Sequence, residues 1–329
     1  MVIFIRSSIF TTILKENTMD VLSDILDTLK FKGSFYFSTN FTAPWGVQVP
    51  SYKNVARFHL AVGGDFWVKV GNNEDHIRLS SGDMIIIPHG AEHTISDKQE
   101  SVIEHLDEVL LKSGYKGEGH LIYGGDDMRE STKLVCGHFD FDEKFTHPLI
   151  SDLPEYILIT GKQAIDFSWF DDAMKFMSYE SQKTNIGNAA LIKRLSEILF
   201  IHAIRVWNTQ ENKNSGFIRA IADKKIGRSL KAFHSAPQHH WTLESLASEA
   251  GVSRSIFANQ FKTLMGITPL NYVTFWRMQK ACERLIDTDL STDVIAEQVG
   301  YQSLAAFSKV FKKSIGVGPG SFRRENNVL

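Results

Sequence analysis

Cysteine is nearly missing from this chain. Two residues, Cys136 and Cys282, among 329 exclude a disulfide framework and suit a reducing, cytoplasmic compartment. No apolar run approaches the ~20 residues needed to span a membrane as a helix. There is no glycine-rich phosphate loop, no nucleophile elbow and no HExxH pair, so the commonest nucleotide-binding, hydrolase and metalloprotease signatures are absent. Strong net charge is lacking too: 36 Lys and Arg stand against 38 Asp and Glu, a net of −2. These absences point away from an enzyme. They leave a globular protein whose length allows two or three domains.

The near-zero charge conceals a division. From Phe217 onward 15 Lys and Arg face 9 Asp and Glu, so the tail is basic and the remainder acidic. A basic tail suits a polyanion. At the other end, MVIFIRSSIFTTIL is apolar but lacks a small-residue cleavage site before LKENT. Met19 directly precedes a helical pattern with Val21, Ile25 and Leu29 on one face. Translation is therefore expected to begin at Met19, with residues 1–18 as an upstream extension.

Between about 33 and 159 the texture is that of strands. Runs such as VARFHLAV, DFWVKV and DMIIIP are separated by Gly, Asn, Asp and Pro. After residue 165 the period becomes helical, and NAALIKRLSEILFIHAIRVW repeats Leu191, Leu195, Leu199 and Ala203 at i+4. That seam serves either intrachain packing or a homodimer. The polar NTQENKNSG at 208–216 reads as a linker. The expected organisation is a sensor region at 19–160, a helical connector at 161–216 and a DNA-binding region at 217–329.

The last 90 residues repeat themselves. Ala247, Gly251, Phe257, Phe261, Gly266 and Pro269 recur as Ala296, Gly300, Phe307, Phe311, Gly316 and Pro319, at offsets of 49 and then 50. The small residue lets two helices cross closely. The first glycine accepts positive φ where the chain reverses. Ser253 and Ser303 stand where an N-cap opens the next helix. The Phe pairs at i, i+4 turn that helix onto its partner, and the second glycine ends it. This is a helix-turn-helix written twice, at about 242–266 and 291–316, and the second helix of such a motif enters the major groove. With the phenylalanines facing inward, Arg254, Ser255, Ala258, Asn259 and Lys262 are left outward in one motif. Leu304, Ala305, Ser308, Lys309 and Lys312 are left outward in the other. Asn259 suits a bidentate pair with adenine and Arg254 one with guanine or a phosphate. Lys309, Lys312 and Lys313 suit phosphates.

On these residues, 240–324 resembles the DNA-binding domain of AraC/XylS-type transcription regulators. One departure is GVGPG at 316–320, where that family often has a polar residue before the Pro and an acidic one after it. The front half resembles the cupin domains fused to such regulators. Gly82, Pro88, Gly90 and His93 in GDMIIIPHGAEHTISD keep the spacing of the second cupin motif, with Asp97 in place of a family Asn. The first cupin motif is degraded. His59 is its only histidine, and position 61 is Ala.

The resemblance implies an α+β multidomain chain with a cupin-like β-barrel, a helical connector and an all-α double helix-turn-helix. It implies promoter DNA, a small-molecule effector and RNA polymerase as partners, with activation as the family tendency. A full three-His-plus-Glu metal site is not written in the sequence. His59 and His93, joined by Cys136 or His138 from the strand KLVCGHFDF, remain candidate ligands for zinc or a similar divalent metal. The competing readings are a constitutive DNA binder with a dimerising barrel and a metal-dependent cupin enzyme.

Overall fold

The structure is a computed structural model describing residues 20–117, 119–126, 131–141, 147–161, 168–181, 185–210 and 216–326. The expected extension at 1–18 and most of the 208–216 linker lie outside these residues. The described residues form two compact units, one lying between 30 and 210 and one built from both ends, 20–29 and 216–326.

The first unit is sheet-rich. Its strands are β1 (Lys32–Thr42), β2 (Gly46–Val49), β3 (Val55–Gly63), β4 (Phe66–Val70), β5 (Ile77–Leu79), β6 (Met84–Ile87), β7 (His93–Ser96), β8 (Glu104–His105), β9 (His120–Gly124), β10 (Ser131–Asp140) and β11 (Ile157–Ile159). They form a six-stranded sheet ordered β11-β6-β3-β10-β1-β9 and a five-stranded sheet ordered β5-β4-β7-β2-β8. The expected barrel is thus two hydrogen-bonded sheets that do not close on each other among the described residues. Side chains join them instead: Phe41, Val47, Val68, Ile85, Ile95 and Leu134 share one buried core.

Alternation along the strands explains this layering. In β4, Phe66, Val68 and Val70 are buried and the residues between them are half-buried, as a sheet with one core-facing side requires. In β6 all four residues of Met84–Ile87 are buried. Ile85 and Ile87 belong to the inner core, while the alternate residues face the opposite side. That outer side carries α4 (Ser168–Ser181), packed on β3, and α5 (Asn188–Gln210), packed on β1 and β11. Phe200 of α5 packs at a tilt against Phe139 of β10, 4.6 Å centroid to centroid. The i+4 seam of α5 is therefore partly consumed within the unit. Leu199 and Ala203 are fully buried, whereas Leu191 is exposed. The remaining helices of this unit are α2 (Leu106–Ser113) and α3 (Pro148–Ser151).

The second unit is all helical. It holds α1 (Val21–Thr28), α6 (Phe217–Ala222), α7 (Ile226–Ser235), α8 (Leu243–Ala250), α9 (Arg254–Met265), α10 (Pro269–Asp287), α11 (Thr292–Gln298), α12 (Leu304–Ile315) and α13 (Pro319–Asn326). Helix α1, expected as the start of the sensor region, packs here against α7 and α10. Its Val21, Ile25 and Leu26, with Leu29 just beyond, are buried. No helix among the described residues is long and apolar enough to cross a membrane.

Candidate nucleic-acid interface and effector cavity

Each helix-turn-helix is assembled from local signals. Helix α8 opens with a capping box, Thr242 accepting from the Ser245 amide at 3.1 Å and Ser245 Oγ accepting from the Thr242 amide at 2.9 Å. It closes at Gly251, whose φ of +70° is the left-handed cap expected there. Gly300 plays the same part after α11 with φ +85°. A Cβ on Gly300 would lie 2.7 Å from Arg277 Nη2 and 2.8 Å from the Gln238 carbonyl. Only glycine fits on both counts.

Those neighbours expose a second layer of the repeat. Arg228 of α7 donates to the Ala250 carbonyl at 2.9 Å, beside the first turn. Arg277 of α10, 49 residues on, donates to the carbonyls of Pro237 at 2.8 Å and His239 at 2.6 Å. The same offset that revealed the glycines and phenylalanines also relates these two arginines. The sequence therefore carries this signal too. Each guanidinium satisfies carbonyls that would otherwise end a helix or turn unpaired.

The anchors lie where the spacing predicts. Phe257, Phe261, Phe307 and Phe311 are all buried, with ring centroids 5.6 Å apart in the first pair and 5.5 Å in the second. Ala247 and Ala296 are buried at the helix crossings. The caps differ from expectation in one respect. Ser303 accepts from the Ala306 amide at 3.4 Å, but Ser253 makes no side-chain cap. Its hydroxyl meets Ser255 Oγ at 3.3 Å instead.

With the phenylalanines inward, α9 leaves Arg254, Ser255, Asn259 and Lys262 exposed and Ala258 half-buried. Helix α12 leaves Leu304, Ala305, Lys309 and Lys312 exposed and Ser308 half-buried. Ile256, Gln260, Ala306 and Lys313 are exposed beside them; of these only Lys313 was singled out from the sequence. Arg254 pairs with Glu244, so its guanidinium is already oriented by a carboxylate. Between the two motifs runs α10, 19 residues long, a rod of about 28 Å at 1.5 Å per residue.

In the sheet-rich unit, β3 carries His59, β7 carries His93 and β10 carries Cys136. Tight turns set this up. Gly90 adopts φ +59° between β6 and β7, and a side chain there would collide with the Tyr52 carbonyl. His93 thereby enters the core at 1% exposure. His59 Nε2 lies 2.8 Å from His93 Nε2, and His59 Nδ1 lies 3.1 Å from Cys136 Sγ. His93 Nδ1 is 2.8 Å from the Ala91 carbonyl.

Chemistry fixes the protons in this row. The Ala91 carbonyl accepts, so His93 Nδ1 donates and its Nε2 accepts in the neutral ring. His59 Nε2 then donates to His93, leaving Nδ1 to accept the Cys136 thiol proton. All three groups stay neutral near pH 7. Burial, reinforced by His93 and Arg57, drives His59 well below the ordinary histidine range. Burial brings His93 down to about 4, opposed by the Ala91 hydrogen bond and aided by Arg57. Burial pushes the Cys136 thiol up to about 12, with Arg57 opposing.

His138 stands apart. It follows Cys136 on the same side of the pleat but two residues along, and pairs with Asp140 at 2.8 Å. The arrangement is a hydrogen-bonded row, with His59 turning one nitrogen to each neighbour, not a set of donors converging on a point. Among the described residues no three His, Cys, Asp or Glu side chains are placed to hold a metal ion. The donors as they stand do not fit a divalent metal.

The row borders a small cavity of about 20 Å³. Phe41, Val47, Val49, Ile95 and Leu121 form its apolar wall, while Thr39, Arg57, His59 and Cys136 contribute polar groups. As it stands, such a space has room for about one water molecule.

Comparison with known proteins accords with both units. A cupin family model matches residues 20–209, and a helix-turn-helix domain model matches 246–325. The chain is 27% identical over 311 residues to the HTH-type transcriptional regulator AlkR of Acinetobacter baylyi, covering 94% of this chain and all of that one. It is 28% identical over 315 residues to the RCS-specific HTH-type transcriptional activator RclR of Escherichia coli, covering 94% and 99%. Among solved structures, the DNA-binding domain of the global transcriptional factor AdpA in complex with a target DNA is similar at 27% identity. That match covers 31% of this chain and 92% of that one, with a TM-score of 0.30. The chain belongs to the cupin family through residues 20–209, and with its C-terminal helix-turn-helix domain it is a DNA-binding transcriptional regulator of the AraC family.

Proposed function

We propose that this regulator is effector-responsive and acts chiefly as an activator. The observation that carries the effector half is the row of buried polar groups, His59, His93 and Cys136 beside Arg57, set in an apolar core around a cavity of about 20 Å³ that a ligand would have to widen. The activator half draws on the printed name of the Escherichia coli relative. A small molecule that widens this space favours whichever conformation binds it more tightly, and DNA affinity follows that population. RNA polymerase is the partner through which bound regulator raises transcription. An assembly of two copies through the exposed face of α5 is compatible with this scheme and not required by it.

The test replaces the cavity with side chain. Val47→Ile, one methylene larger, fills the small cavity without adding a polar group. Target promoters in this variant are expected to stop responding to growth conditions while the purified protein still binds operator DNA. A variant that responds as the parent does would remove the cavity from the scheme. A rise in target transcripts on deleting the whole regulator would reverse the sign to repression.

A further inference from the structure

The two recognition helices offer different chemistry at the same place. The N-terminal turn of a recognition helix contacts base edges. In α9 that turn opens with Arg254 and Ser255, both able to hydrogen-bond to base edges, followed by the exposed Ile256. In α12 it carries Leu304, Ala305 and Ala306, all exposed. Leu304 is 41% exposed, a large apolar side chain left in water at the tip of the helix. The nearest hydroxyl, Ser303, accepts from the Ala306 amide. Polar groups return only later on α12, at the half-buried Ser308 and the exposed Lys309, Lys312 and Lys313.

A lone exposed leucine is ordinary. Three consecutive exposed apolar residues on the reading turn of a recognition helix are a different matter, because that turn lies against base edges. In the major groove the apolar feature is the C5-methyl of thymine. We infer that the second helix-turn-helix reads its half-site through thymine methyl groups packed on Leu304 and Ala305, with its lysines holding the flanking phosphates. Sequence discrimination by hydrogen bonds then falls to the first motif, chiefly to Asn259. The operator accordingly has two unlike halves about one helical turn apart. One half is read by donors and acceptors, and the other is an A·T-rich half read by methyl contact. This rests on the DNA-binding assignment and specifies how one half of the operator is recognised.

Uracil tests the inference directly, since it keeps every hydrogen-bonding group of thymine and removes only the methyl. Operators are first selected from random duplexes with the full chain. Failure to enrich any sequence would overturn the DNA-reading assignment itself, and this inference with it. In an enriched operator, thymines of the half nearer α12 are replaced singly by deoxyuridine and affinity is measured for the parent and for Leu304→Ala. The expected result is one or two positions where uracil weakens parental binding about three- to fivefold, the value of one buried methyl. The same replacement should have little effect on Leu304→Ala. Because Leu304 is exposed, this variant should melt with the parent, which a thermal scan checks. Uracil substitution without effect throughout that half, or an equal loss in both proteins, would overturn methyl readout while leaving sequence-specific binding intact.

Discussion

Gly300 shows how much one residue decides. It sits at φ +85° with Arg277 and the Gln238 carbonyl closing the space a Cβ would need. Gly300→Ala must therefore bear left-handed strain and displace the guanidinium that holds Pro237 and His239. A cost of roughly 2–3 kcal/mol is expected from the two effects together. Gly266→Ala, with open space around the Cβ, should bear only the backbone term of about 1 kcal/mol. Denaturant titration of the two variants checks the difference. The need for glycine at 300 was legible in the repeat, and the same offset pairs Arg277 with Arg228; that Arg277 closes on Gly300 was not, because an arginine in a helix reads as a solvated residue until its carbonyl partners are placed.

The buried histidines give a second prediction at this scale. His93 has its folded pKa lowered from 6.5 to about 4, so between those values the unfolded chain binds the extra proton. Its contribution to stability is complete above about pH 6.5 and is lost as pH falls toward 4, at about 1.4 kcal/mol per unit. His59 is shifted the same way and adds to the slope. Melting the cupin unit across this range should show a steep loss that is shallower in His93→Gln. An equal slope in both proteins would mean that this ring already carries a proton in the folded state. The meeting of His59, His93 and Cys136 was foreseeable from strand alternation. His138 was not separable from Cys136 on that ground, since a two-residue period gives the side of a sheet and not the depth along it.

At the scale of elements, α1 departs furthest from the sequence. Its amphipathic pattern predicted a helix, and a helix forms, capped by Asp20. What the pattern could not supply was its partner, which lies some 210 residues away. Asp24 Oδ2 meets His234 Nδ1 at 2.7 Å, His234 Nε2 meets the Tyr272 hydroxyl at 2.8 Å, and Lys280 Nζ lies 3.0 Å from Asp24 Oδ1. Burial alone would raise the Asp24 carboxyl. The hydrogen bonds and charges of His234 and Lys280 outweigh it and hold the group below its ordinary value. Removing the carboxylate takes a buried partner from both His234 and Lys280, although Lys280 keeps Glu283 at 3.1 Å and His234 keeps Tyr272, so Asp24→Ala should destabilise the DNA-binding unit by roughly 1–3 kcal/mol. Hydrogen exchange on the full chain should then show lost protection in α7 and α10. Unchanged protection there would mean that α1 is not part of that unit's cooperative fold. The strands were likewise legible one by one, whereas the failure of the sheets to close was not. Closure depends on hydrogen bonding between edges, which hydrophobic alternation does not encode.

The whole molecule joins a sheet-rich cupin unit to a helical unit whose two repeated motifs leave a polar face and an apolar-tipped face outward. The division of charge between the halves already hinted at this, with the basic excess lying in the DNA-binding region. The repeat made the assignment firm, because six matched positions at a near-constant offset are hard to produce without two copies of one motif. The cavity had no sequence signature of its own. It arises from side chains of β1, β2, β3, β7, β9 and β10 with one from α2, and no single segment announces it. The central claim is that this chain reads specific promoter sequences through α9 and α12. The most direct test is genome-wide footprinting of the tagged protein beside an Asn259→Ala, Lys309→Ala double variant, both expressed to equal levels. Discrete promoter peaks that vanish in the variant are the predicted result. Peaks that persist unchanged in the variant, or an absence of peaks for the parent across growth conditions, would contradict it.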